Sequence, residues 1–175
     1  MRIYSSVLIG ALLVGGCASQ SPMHPIGRTV RRPGSEPEYF RVEESDVQMK
    51  RAVRLARKHL RVFITALEHP APGQRDFEVK KPFVQGDHVE HIWLSHVKYS
   101  GRRFHGFVDN KPQEITGLEM GTRVSVNPNE ISDWLFVDNG KLVGGYTIRV
   151  LYNDLSPERK KEFTDQADFR IEPQK

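Results

Sequence analysis

The sequence predicts an α+β fold, in which a long N-terminal helix packs on a curled antiparallel sheet of about five to seven strands and a short helix ends the chain. Three observations carry that expectation. Apolar residues recur at helical spacing between residues 46 and 68, period-two segments alternate with Gly and Asn turns from 76 to 152, and a Ser-Pro-Glu helix start stands at 156–158. A partly open, SH3-like barrel is the alternative closure of the same strands.

Before the helix, residues 1–16 stand apart. Arg2 precedes a short apolar run that reaches Gly16, whereas a bilayer span needs roughly 20 apolar residues. The segment therefore reads as a secretory signal. Val14-Gly15-Gly16-Cys17 resembles the bacterial lipobox, with Val14 where Leu is more usual, so Cys17 is expected to carry diacylglyceryl and fatty-acyl (palmitate-type) chains. Each buried methylene contributes about 0.8 kcal/mol, and two or more chains anchor stably. Ala18 after the cysteine, rather than Asp, points to the outer membrane over the inner. Cys17 is the only cysteine, so no internal disulfide can form and the fold must rest on its core.

Residues 17–44 are rich in Ser, Pro, Gly and Arg and are expected to be a lipidated tether, followed by one domain at 45–170. For 27 flexible residues the ends lie roughly 30 Å apart. Loss of residues 1–16 removes one of 26 basic side chains against 22 acidic ones, a mild excess. An exported chain meets little nucleic acid, so the expected neighbours are lipid head groups, cell-wall polymer or protein.

The helix is predicted over Asp46–Glu68 because Met49, Val53, Ala56, Leu60, Phe63 and Leu67 form one face. Ser45 and Gln48 match a capping box, and Pro70 stops the helix. Its other face carries Lys50, Arg51, Arg54, Arg57, Lys58 and Arg61. Such a helix can lie in a membrane interface, but packing on a sheet with a solvated outer side produces the same pattern and is the reading taken here.

Strands follow around Phe77, Val79 and Phe83, with Pro82 marking an edge or an end, then over Val89–Tyr99, Arg103–Val108 and Thr122–Val126. Ser100-Gly101 is the expected turn between the second and third. Asn139-Gly140 suits a two-residue type I′ hairpin, which sets Asp138 opposite Lys141, Val137 opposite Leu142, Phe136 opposite Val143 and Trp134 opposite Gly145. Tyr146, Ile148, Val150 and Tyr152 alternate with other residues, predicting one more half-buried strand. Pro157 opens a last helix that fades near Gln166.

Motifs for chemistry are missing. The sequence contains no Gly-x-Ser-x-Gly, His-Glu-x-x-His, phosphate-binding glycine loop or paired-cysteine motif. His88, His91, His96 and His105 cluster in sequence, but His91 and His96 face opposite sides of a strand and His88 and His96 stand roughly 26 Å apart along it. A Ser100-Gly101 turn would set His96 opposite His105 as a two-ligand site, but also Lys98 opposite Arg103, a like-charge pair, so neither metal nor cofactor is expected. In Asn127 to Trp134, Glu130 and Asp133 form a possible acid/base pair. The structural reading has Asp133 bonding backbone amides while Ile131 and Trp134 enter the core.

From about Ala52 to Leu151 the chain resembles the YegJ-like bacterial family, catalogued as domain of unknown function twenty-three-fourteen. The resemblance rests on Ala56-Arg57, Phe77-Glu78-Val79-Lys80, Glu90-His91-Ile92-Trp93, Gly106, Asn110-Lys111-Pro112, Gly121, Ile131-Ser132-Asp133-Trp134 and Gly144-Gly145-Tyr146-Thr147. It implies a compact α+β domain and assigns no catalytic role. The expected function is that of an envelope lipoprotein facing the periplasm, a non-enzymatic binding module for a protein or cell-wall partner, of which an immunity-type inhibitor is a narrower form. The alternative is a cell-wall or glycan hydrolase. The candidate surface for either comprises Glu90, His91, Trp93, Asp133, Trp134 and Arg149, with the two indoles edging a groove.

Overall fold

The computed structural model describes residues 38–172, with side chains from Val47 onward. The signal segment, Cys17 and residues 18–37 of the expected tether lie outside these. Two helices, α1 (Glu38–Lys58) and α2 (Leu60–Glu68), precede strands β1 (Gln74–Gln85), β2 (His88–Ser100), β3 (Arg103–Val108), β4 (Arg123–Val126), β5 (Asp133–Asp138) and β6 (Lys141–Gly144). Helices α3 (Tyr146–Asn153) and α4 (Pro157–Gln166) complete the order. No helix among the described residues is long and apolar enough to cross a membrane.

The six strands form one open antiparallel sheet in the order β4-β3-β2-β1-β5-β6, so the barrel alternative does not apply. Beyond β6 the chain end adds one parallel bridge, with Leu142 N–H donating to Arg170 O at 2.9 Å and Arg170 N–H to Gly140 O at 2.8 Å. Successive side chains point to opposite sheet faces. On the first face Val79, Ile92, Leu94, Phe104, Val126, Trp134 and Phe136 meet the helical seam of Ala52, Ala56, Leu60 and Phe63. Phe63 is the hub, its ring 5.5 Å from Trp134 and 5.9 Å from both Phe77 and Phe104. On the second face Trp93, Leu135, Val137 and Leu142 form a smaller core with Ile148 and Phe169, against which Phe163 and Ala167 pack.

The predicted single helix is two. His59, at φ −100° and ψ 10°, breaks it, and α1 begins at Glu38 rather than at Asp46. The turn between β2 and β3 falls one residue later than expected. Ser100 pairs with Arg103, leaving Gly101 (φ 57°) and Arg102 (φ 61°) as the two turn residues. This sets His105 opposite Lys98, while His96 sits in a β-bulge at φ 51°. β1 is a central strand rather than an edge. Its partner β5 extends only to the Lys80–Asp133 pair, so Pro82, which still pairs with His91 of β2, stands past the stretch paired with β5 and interrupts no ladder on that side.

The largest correction concerns residues 146–152, expected as a strand and folded as α3. Their alternation fits a strand locally, but Gly144 and Gly145 both adopt left-handed conformations, at φ 74° and 61°, and turn the chain out of β6. The next two amides then meet the carboxylate of Asp133, which supplies a helix start from another strand. Tertiary contact overrides a weak β preference.

Candidate functional site

Polar side chains converge on the second face, where β2, β1 and β5 lie side by side. Trp93, Lys80 and Asp133 stand in one lateral row, because Lys80 pairs with Trp93 on one side and with Asp133 on the other. The Lys80 ammonium lies 5.3 Å from the centroid of the Trp93 ring, a cation–π distance. Burial lowers the Lys80 pKa, while the nearby Asp133 carboxylate opposes that shift.

Asp133 is fully buried and ringed by donors. Its Oδ1 accepts from the amides of Trp134 (2.8 Å) and Tyr146 (3.1 Å), and its Oδ2 accepts from the amide (2.8 Å) and hydroxyl (2.6 Å) of Thr147. Burial raises its pKa above the usual carboxylate range, opposed by the Thr147 and Trp134 donors and by Lys80. The carboxylate therefore acts as a side-chain cap for α3, favoured by the positive end of the helix.

One position along, the His91 ring contacts Ser132 Oγ at 2.9 Å through Nδ1, and Ser132 donates its amide (2.8 Å) and hydroxyl (3.2 Å) to Lys80 O. Partial burial first, then the charges of Lys80 and Arg57, lower the His91 pKa. A Ser–His contact is what a hydrolase would use, but Ser132 is only 1% exposed and its proton is committed to a backbone carbonyl. A nucleophile must reach substrate. This hydroxyl holds two strands together instead.

Glu78, also on this face, is pushed up to about 8, by burial first and then by the charges of Asp109 and Asp168. No donor among the described residues meets its carboxyl. Sequence reasoning missed Lys80 and Ser132 as members of this network and Glu78 as the buried carboxyl beside it. Their one local signal is the charge alternation of Glu78-Val79-Lys80 within an apolar strand, which tells which residues share a face and not that the face is covered.

The six residues of the expected surface do not come together. Trp93 and Trp134 are 7% and 1% exposed on opposite faces of the sheet, so no groove is edged by both. The Trp134 indole donates to Ala56 O at 2.7 Å, deep under the helices. Glu90 caps the loop after β3, accepting from the amides of Gln113 (2.9 Å) and Glu114 (3.0 Å), on the face opposite His91. Arg149 braces the β6–α3 corner through Gly144 O (2.9 Å) and Leu142 O (2.7 Å). His91, Trp93 and Asp133 do share the second face. Glu130 points elsewhere, bonded to Lys81 and to the Asn127 amide. Among the described residues no three His, Cys, Asp or Glu side chains are placed to hold a metal ion.

Toward β3 the second face is open. There Phe107, paired with Ser95, is 41% exposed; Val84 and Val89 are exposed at 68% and 53% apart from it, near the β1–β2 turn. Beside Phe107 an open depression of about 380 Å³ is lined by Ser95, His96, Asp109 and Met120, with the His96 ring edge-on to Phe107 at 6.3 Å.

Residues 46–170 match the family described as an uncharacterized protein conserved in bacteria (DUF2314). The chain belongs to the DUF2314 family. The segments that carry the resemblance from β1, β2, β5 and the start of α3 are those that meet around Lys80 and Asp133 in this DUF2314 domain. Among curated proteins the chain is 35% identical to the uncharacterized protein YegJ of Escherichia coli K12 over 100 residues, 57% of this chain and 64% of that protein. It is 34% identical over 131 residues to a protein of Neisseria meningitidis serogroup B named as an ankyrin repeat protein, covering 70% of this chain and 52% of that one. The chain thus spans between about half and two thirds of the length of these relatives. No solved structure matches this DUF2314 chain.

Proposed function

We propose that this DUF2314 chain is a lipid-anchored binding module of the bacterial envelope, which holds a protein or cell-wall partner against the open part of its second sheet face. The observation that carries the reading is the division of that face. Around Asp133 and Ser132 the polar groups are tied to backbone partners and buried, whereas Phe107 presents apolar surface beside a depression and Val84 and Val89 present a separate exposed pair near the β1–β2 turn. Exposed apolar patches of this kind mark interaction sites. The anchor rests on the lipobox-like Val14-Gly15-Gly16-Cys17.

Two measurements test the proposal. A labelled fatty acid is expected to enter the chain in cells and to be lost in Cys17→Ala; unchanged labelling in that variant overturns the anchor. A photo-crosslinker placed at Phe107 is expected to give one dominant adduct in native membranes, absent when placed at exposed Glu162 of α4. Turnover of cell-wall material by the purified chain, lost in His91→Ala, would overturn the non-enzymatic reading.

A further inference from the structure

From Val47 to Leu67 the chain has six basic residues and no acidic one. Within this stretch Ala52, Ala56, Leu60 and Phe63 are buried against the sheet, so the apolar seam is already used and cannot enter a bilayer. Arg51, Arg54, Lys58 and Arg61 recur at spacings of three and four on the opposite side and are exposed. None of these four forms an ion pair among the described residues. The neighbouring Arg57 is tied inward, its Nε donating to Ile131 O at 2.9 Å.

We propose that this outer stripe of α1 and α2 rests on an anionic lipid surface, with phosphatidylglycerol-type head groups as its occupant. The proposal builds on the anchored reading above and adds an orientation to it. The ten steps from Arg51 to Arg61 place the four cations along about 15 Å of a convex ridge. A ridge with no groove suits a flat, extended anion better than a single acidic side chain. Only residues 18–37 separate Cys17 from the first residue of α1, so the stripe is the first folded surface the anchor would bring to the lipid. Each cation near an anionic surface strengthens attachment about fivefold. Because the helices and the open strip at Phe107 occupy opposite sheet faces, lying on the stripe turns the strip away from the membrane.

Amine-reactive footprinting of the full acylated chain in vesicles tests this. With phosphatidylglycerol in phosphatidylcholine vesicles, modification of Lys58 is expected to slow several-fold relative to phosphatidylcholine alone, while exposed Lys111 keeps its rate. High salt, or the combined change Arg51→Glu, Arg54→Glu and Arg61→Glu with an unchanged circular dichroism spectrum, is expected to restore the Lys58 rate. Equal Lys58 rates in the two vesicles overturn the proposal. So does protection seen in native membranes and absent from protein-free phosphatidylglycerol vesicles, which would give the stripe to a protein. Flotation with phosphatidylcholine alone reads the anchor separately. A chain that fails to float there lacks the lipid, and the stripe is then judged by flotation with phosphatidylglycerol vesicles at low salt, where binding supports it and no binding overturns it.

Discussion

The carboxylate of Asp133 takes both the amide and the hydroxyl of Thr147, at 2.8 and 2.6 Å, and so fastens the first turn of α3 to the first residue of β5. Asp133→Asn presents an amide group to several donors at once and leaves at least one of them unsatisfied. Unsatisfied buried donors cost about 1–3 kcal/mol each. We expect a loss of about 2–4 kcal/mol in urea unfolding. Thr147→Val should cost about 1–2 kcal/mol, and the double variant less than the sum, because both act on one contact.

Glu78 makes stability depend on pH. Between pH 4.5 and about 8 the carboxyl is ionised in the unfolded chain and protonated in the folded one, so the folded state binds more protons and stability falls as pH rises through that window. Glu78→Gln, which mimics the protonated acid, is expected to match the parent near pH 4.5 and to exceed it by a few kcal/mol at pH 8, at about 1.4 kcal/mol per unit. Parallel pH profiles of the two proteins would contradict the burial of this carboxyl.

His91 should titrate below the ordinary histidine value of 6.5, since burial and the charges of Lys80 and Arg57 all disfavour imidazolium. Lys80→Gln removes one of these charges. The His91 midpoint, followed by NMR, is expected to move upward but to stay below the ordinary value, because burial remains. No movement would mean that the lysine and the imidazole are not neighbours.

Two glycines with positive φ should respond differently to alanine. At Gly144 a Cβ would lie 2.3 Å from Trp134 O and 2.5 Å from its Cε3, whereas at Gly86 nothing lies within 4 Å. Gly86→Ala pays only the left-handed backbone cost, about 1–2 kcal/mol. Gly144→Ala must also displace a buried indole, and a loss of about 4 kcal/mol or failure to fold is expected by thermal unfolding.

The hairpin of β5 and β6 was legible because its determinants are local. Asn139 and Gly140 take the positive φ values of 48° and 77° that the turn requires, and the expected pairs from Asp138–Lys141 to Phe136–Val143 are those observed. The same register runs on through Leu135–Gly144 to the amide of Gly145, which donates to Trp134 O at 2.8 Å, while the indole itself lies over Gly144. What was not legible depends on distant partners. The helix at Tyr146 needs a carboxylate 13 residues upstream. The separation of Trp93 from Trp134 needs the strand order, which brings β1 between β2 and β5. Parity along one strand cannot supply it.

That strand order also constrains when the domain can form. β1 is flanked by β2, which follows it at once, and by β5, whose Asp133 lies 53 positions after its partner Lys80. Closing so long a loop before its contacts form slows folding. Chains that stop short of residue 133 have a central strand with one neighbour, and Phe63 without its Trp134 and Phe136 rings. The first three quarters of the sequence therefore lacks the partners that complete both the central strand and the ring cluster around Phe63, which arrive only with β5.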